Sequence, residues 1–312
     1  MNETGGIAHS VHVRLVARAK EMGIEAQLLL ERYALHRLLC RLSRSEYAER
    51  FLLKGAQLML VWMGESARPT RDADLLGFGD LSEGALQQVF EAVCAMQMDD
   101  DGLAYLPESI RVRAIRGQDA YGGYRVSLDA RLGNARLRLQ PDVGIGDAVP
   151  EQPAWVELPA FLELPPVRLR AYYRETSIAE TLETIVSLGL LNSRLKDYFD
   201  LYMLAQRMGF DGGALTDTVR RTFERRGTPI PAQSPPGLTR AFADEPGKQL
   251  QWVSFCRKAG EPSVPEDLVS VIGRIAAFLV PVLRSAGQDD RLDRRWPPGG
   301  PWTAQRRMAG LP

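Results

Sequence analysis

From residue 10 to 45 the apolar positions Val13, Leu15, Val16, Leu28, Leu29, Leu30, Leu35, Leu38, Leu39 and Leu42 recur at three- and four-residue intervals, with Arg and Glu between them. That period gathers them on one side of a helix, and no Pro or Gly interrupts residues 24 to 53. At Phe51-Leu52-Leu53-Lys54-Gly55-Ala56 a short apolar run ends in Gly, and a second, Leu58 to Met63, ends at Gly64. This predicts a turn and a helix, then a loop from Ser66 to Thr70, then a short strand from Ala73 to Phe78. Helical spacing returns from Leu81 to Met98, with Ser82 as N-cap and Glu83 in the first turn, and Asp99-Asp100-Asp101-Gly102 closes it.

From Ile110 to Ile145 the period becomes two: Ile110 and Val112 alternate with Arg111 and Arg113, and Ala135, Leu137 and Leu139 with Arg136, Arg138 and Gln140. Three antiparallel strands with one wet, basic face are expected. Pro-rich Val149 to Pro166 reads as a connection, Ile178 to Leu191 and Leu195 to Met208 as helices. Residues 227 to 236, with four prolines, form a linker, and helical stretches near 248–258 and 265–285 precede a tail containing Trp296 and Trp302. The expected divisions are N-terminal helices (1–45), a core (46–150), a helical region (151–226) and a C-terminal helical region (227–312).

Composition narrows the class. The 312 residues are 45% apolar and 25% charged, ample for a folded core of more than one subregion. Thirty-nine basic residues balance thirty-nine acidic ones, so any nucleic-acid surface must be local. Three scattered cysteines, Cys40, Cys94 and Cys256, encode neither a disulfide framework nor a zinc site and fit a reducing, cytoplasmic setting. The N-terminus lacks a signal-peptide core, and no uninterrupted apolar run nears the roughly 20 residues that span a bilayer, so a soluble chain without a membrane partner is expected.

The sharpest chemical signal is Arg68-Pro-Thr70-Arg71-Asp72-Ala73-Asp74. On a strand, Asp72 and Asp74 share a face while Ala73 and Leu75 take the other. Two ionised carboxylates side by side repel unless a cation lies between them, and oxygen-only ligands suit magnesium. A third acid, Asp142, at the end of the strand Ala135 to Gln140, would complete a phosphoryl-transfer site. The plainer alternative is a DxD triplet exposed in a loop. Lys54-Gly55-Ala56 ahead of a helical run would offer backbone N–H groups to a triphosphate, or else form an ordinary tight turn. Lys196 and Asp200 stand four apart on one helical face, the spacing of a surface salt bridge or of a pair beside a site. The three histidines have no partner cluster, and neither a nucleophile elbow nor a Walker or dinucleotide fingerprint occurs.

The ordered set FLLKGA, RPTRDADLLGFGD, LQPDVGIGDAVP, ETSIAETLETIVSLG and SRLKDYFDLY resembles the AbiEii/AbiGii nucleotidyltransferase toxins of type IV toxin–antitoxin systems, with FERRGTPIP, KQLQW and WPPGGPW fitting the C-terminal region. The resemblance implies an α+β, polymerase-beta-like core with a small mixed sheet and helical extensions, magnesium dependence, and transfer of a nucleotide from an NTP to an acceptor, in several relatives the tRNA 3′ end. It also implies a partner antitoxin from the adjacent gene. Asp72 and Asp74 match the family's metal-binding acids, Gly55 the phosphate-loop glycine, and Lys196, Asp197 and Asp200 the KDxxD motif. Asp142 joins them as the third metal and catalytic acid, and Lys54, Gly55, Ala56, Arg68, Thr70 and Lys196 as nucleotide contacts. Two positions depart from the pattern: Ala56 replaces a Gly or Ser, and Thr181 stands where relatives carry a phosphate-binding lysine, a charge that Thr does not supply. The competing readings are a nucleotide-binding protein with weakened turnover and transfer to protein hydroxyls. Arginines 111, 113, 136 and 138, with 220, 221, 225 and 226, form either a local surface for RNA or solvated faces.

Overall fold

The structure, a computed structural model, describes residues 3–64, 67–98, 101–115, 122–147 and 153–304; Ser66, Asp99, Asp100 and Val149, named above, lie outside them. Two compact units are present, 1–64 with 69–172 and 65–68 with 173–312. The first holds α1 (Glu3–Glu21), α2 (Ala26–Arg44), β1 (Phe51–Lys54), α3 (Ala56–Met63), β2 (Ala73–Gly77), α4 (Glu83–Ala95), β3 (Leu103–Ala114), β4 (Gly123–Leu132), β5 (Ala135–Leu139), β6 (Pro141–Ile145), β7 (Ala154–Leu158) and β8 (Val167–Ala171). Its strands run in the order β3-β4-β6-β2-β1-β8-β7, with β5 paired to β4. The sheet is mixed, since β2 with β6 and β1 with β8 are parallel and the other pairs antiparallel.

Helix periodicity carries through in α2, whereas in α1 Leu15 is buried but Val13 and Val16 stay exposed. The α2 leucines 29, 30, 35, 38, 39 and 42 are buried, in one core cluster with Leu52, Leu53, Val126, Leu128, Leu137 and Val143. Each such side chain contributes roughly 1.5 to 3 kcal/mol of transfer energy. Ser82 caps α4 by accepting from the Ala85 N–H. Asp101, expected to close that helix, is instead buried at the start of β3, where it accepts from the Arg41 and Arg37 guanidinium groups of α2.

The strands depart more. β3, β4 and β5 are the expected antiparallel set, but β3 begins at Leu103, and the chain does not end its sheet at Gln140. It turns into a separate strand, β6, that pairs parallel with β2 from Ala73↔Pro141 onward. Pro141 lacks an N–H, which a first strand position tolerates. Nor is 149–166 a bare connection: Ala154–Leu158 forms the edge strand β7, with Trp155 outward and Leu158 buried, and the prolines flank it. β8 alternates buried Val167, Leu169 and Ala171 with Arg168 and Arg170, a period-two signal only five residues long.

The second unit holds α5 (Arg174–Leu188), α6 (Leu195–Arg207), β9 (Phe210–Asp211), α7 (Gly212–Arg226), α8 (Arg240–Ala243), α9 (Pro246–Ala259), α10 (Leu268–Gly287), β10 (Arg294–Trp296) and β11 (Thr303–Ala304). α10 is long and apolar enough to cross a membrane by composition, but it buries Val271, Ile275, Phe278, Leu279 and Val282 against protein, as a core helix does. The expected tail is an ordered strand pairing with β9: Trp296 is fully buried, donates to the Ala205 carbonyl and clusters with Phe278 and Trp302.

Candidate active site

Register places the acids. Lys54 of β1 lies opposite Asp74 of β2, Asp74 opposite Asp142 of β6, and Asp142 opposite Arg125 of β4. Neighbouring strands lie about 4.8 Å apart and register partners share a face, so these four side chains form one row across the sheet. Asp72, just ahead of β2, is exposed, while Ala73 and Leu75 are buried on the other face. Asp142 is thus within its own strand, not at the end of β5, and the parallel pairing with β2 delivers it beside Asp74.

The row is electrostatically balanced. Arg125 Nε and Nη2 donate to the two Asp142 oxygens at 2.8 Å each, and this bond leads the causes that raise the arginine's pKa. A carboxylate accepts along about four lone-pair directions, so Asp142 keeps two for other partners. Lys54 Nζ donates to Asp147 at 2.5 Å and lies 5.2 Å from the Tyr172 ring centroid. The proposed phosphate lysine is therefore already engaged. Arg125, Asp147 and Tyr172 were missed from the sequence; Asp147 stood in the GIGD stretch, whereas only register reveals Arg125.

Gly55 is the N-cap of α3 at φ 67°, ψ −148°. A Cβ there would fall 2.1 Å from Asp74 Oδ2, so the turn needs glycine for its backbone conformation and to let the carboxylate approach. Ala56 opens the helix and is buried. Thr70 is buried as well, its Oγ1 accepting from the Asp72 N–H at 3.2 Å, so it fixes the entry to β2. Gln57 donates to the Asp72 carbonyl at 3.0 Å.

The other candidates belong to the second unit. Asp200 pairs with Arg68, not with Lys196: Arg68 Nε and Nη2 donate at 3.0 and 2.9 Å, with side chains 12% and 16% exposed for Arg68 and Asp200. Burial raises the Asp200 pKa to about 6 against the opposing pull of Arg68. Asp197 accepts from Arg194 at 2.7 Å. Lys196 is exposed and lines a cavity of about 590 Å³ with Arg194, Ser254, Phe255 and Lys258. Thr181 turns its hydroxyl back to the Ser177 carbonyl, 2.8 Å away. Of the α7 arginines, Arg226 is committed to Glu180 and Glu183 and Arg220 to Asp217 and Asp289, which removes both from any open basic surface.

Among the described residues no three of His, Cys, Asp and Glu enclose a metal by themselves. Magnesium needs no such cage, because it keeps several waters and takes one or two carboxylates plus substrate phosphates. The all-oxygen set of Asp72, Asp74 and the open side of Asp142 fits that requirement.

The profile of the family described as nucleotidyl transferase AbiEii toxin, type IV TA system, matches residues 37–272. Among solved structures, JHP933 from Helicobacter pylori is similar at 14% identity and a TM-score of 0.49, covering 85% of this chain and 95% of that one. MenT4, a nucleotidyltransferase toxin from Mycobacterium tuberculosis H37Rv, is similar at 19% identity and a TM-score of 0.45, covering 91% and 99%. No curated protein sequence matches. With most of its length inside the family profile, the chain belongs to the AbiEii nucleotidyltransferase toxin family of type IV toxin–antitoxin systems.

Proposed function

We propose that the first unit carries a magnesium-dependent site that transfers NMP from an NTP to a hydroxyl of RNA, with the tRNA 3′ end as the acceptor, and that the protein acts as a toxin held in check by an antitoxin from the adjacent gene. The observation that supports this reading is the row Lys54, Asp74, Asp142, Arg125, with the Gly55 turn backed against Asp74.

In this reading the first N–H groups of α3, freed by the glycine turn, receive the triphosphate. Asp72 and Asp74 would hold the magnesium, which when bound would neutralise phosphate charge there. The acceptor oxygen attacks the α-phosphorus and the bond to the β-phosphate oxygen breaks, with pyrophosphate leaving with that electron pair. Asp142 takes the hydroxyl proton on a lone pair that Arg125 leaves open. Arg125 fixes the carboxylate's orientation meanwhile. Arg68, Lys196 and Asp200 enter the proposal through the family motif alone.

A second reading, nucleotide binding with weakened turnover, is favoured by one observation: Thr181 carries no charge and its hydroxyl is tied to Ser177. Incubating purified protein with each labelled NTP, magnesium and total RNA separates the two. Label in RNA with pyrophosphate release is expected; NTP binding without release would establish the second reading.

A further inference from the structure

We propose that the solvent-facing side of β3, β4 and β5 seats the polyanionic acceptor, a single strand of RNA led toward Asp74 and Asp142; this rests on the nucleotide-transfer reading. Six arginines share that face, all exposed: Arg111 and Arg113 on β3, Arg125 and Arg131 on β4, Arg136 and Arg138 on β5. Register makes the surface continuous, since Arg113 lies opposite Arg125, Arg111 opposite Ser127, Arg138 opposite Asp129 and Arg131 opposite Arg136. Three strands at about 4.8 Å spacing make a strip roughly 10 Å wide. Its inner end is the Arg125–Asp142 pair, so the basic strip runs directly into the row of acids.

Folding does not call for this arrangement. Like charges directly opposite each other weaken a sheet, yet Arg131 faces Arg136 and Arg113 faces Arg125. Among the described residues none of Arg111, Arg113, Arg131, Arg136 and Arg138 forms an ion pair, and Arg111 is steadied only by the Glu108 and Ile110 carbonyls. The opposite face of the same strands already buries Val126, Leu128, Ala130, Leu137 and Leu139. The excess charge is concentrated in a protein whose formal net charge is zero. No Lys occurs between residues 103 and 145, so every cation of the strip is an arginine, the side chain that grips phosphate in bidentate fashion, while Ser127 and Asp129 share the face with them.

The test uses the full chain and a fluorescein-labelled, 12-nucleotide single-stranded RNA, with anisotropy read across a salt series. Arg131→Gln, Arg136→Gln and Arg138→Gln together are expected to weaken RNA binding at least 10-fold and to flatten the log K against log salt slope by about 2, as three lost phosphate contacts on a single strand would. NTP affinity and melting temperature should hold, the latter rising if anything. Arg136→Lys with Arg138→Lys keeps the charge and should keep the slope, which guards against a folding defect in the triple variant. RNA binding and slope unchanged in the triple variant would overturn the assignment. So would wild-type transfer that labels protein and leaves RNA unlabelled. Because the binding readout needs no turnover, a wild type that transfers nucleotide to nothing would remove the enzymatic reading, while the anisotropy series still decides the surface.

Discussion

Arg125 and Asp142 meet with side chains 50% and 22% exposed, whereas Arg68 and Asp200 meet with side chains only 12% and 16% exposed. Both are bidentate contacts at close to 3 Å. The surroundings give them different work. On the sheet face, water competes for the guanidinium, so the pair costs little to form and little to exchange. Inside the second unit, desolvation pushes Asp200 up to a pKa of about 6, and the pair is held because either charge alone would be stranded. Glu183 shows the same internal use of charge: burial raises its pKa, but hydrogen bonds from Ser187, Thr228 and Arg226 outweigh that and leave it lowered. The row across the sheet is half-buried and opens to solvent at Arg125, whereas the pairs of the second unit are covered at both partners.

Asp74→Asn should lower nucleotide transfer by about 10²- to 10³-fold, or roughly 3 to 4 kcal/mol in the barrier, the scale of losing one charge-stabilising group. The melting temperature should stay within about 3 °C. Transfer within a few-fold of wild type would remove Asp74 from the site.

Arg68→Ala should act the other way, costing about 3 kcal/mol of stability at pH 8, where Asp200 is ionised and left unpaired. At pH 5 the loss should shrink, because the carboxyl can take up a proton. In the wild type the same group has a folded pKa of about 6, above its ordinary 3.8, so its contribution to stability is greatest below about pH 4, falls as the pH rises to 6 and is level beyond. Urea unfolding at the two pH values measures this, and equal losses at both would contradict it.

Gly55→Ala combines the two uses, adding backbone strain at φ 67° and a Cβ that displaces the Asp74 carboxylate. About 2 kcal/mol of stability and about 10-fold in transfer are expected to go together. Gly227→Ala separates backbone strain from the approach to Asp74. Its φ of 64° is also left-handed, but nothing lies within 4 Å of the added carbon, so about 1 kcal/mol of stability should be lost with transfer unchanged. Unfolding and transfer assays on both variants would show whether the close approach to Asp74 matters.

Elements whose signal is local were legible in the amino-acid order. The leucine period of α2, the Ser82 cap of α4, and the alternation that sets Asp74 apart from buried Ala73 and Leu75 follow from side-chain spacing along one segment. The ordered motifs determined the family. What tertiary structure decided is pairing between segments distant in the chain, which spacing does not encode. Parallel pairing of β6 with β2 brought Asp142 beside Asp74 and exposed Arg125 as its partner, and antiparallel pairing of β4 aligned the arginines of three strands. Burial decided the rest: Asp200 took Arg68 rather than the lysine four residues away, because a desolvated carboxylate needs a cation within hydrogen-bond reach, and Lys196 points to solvent.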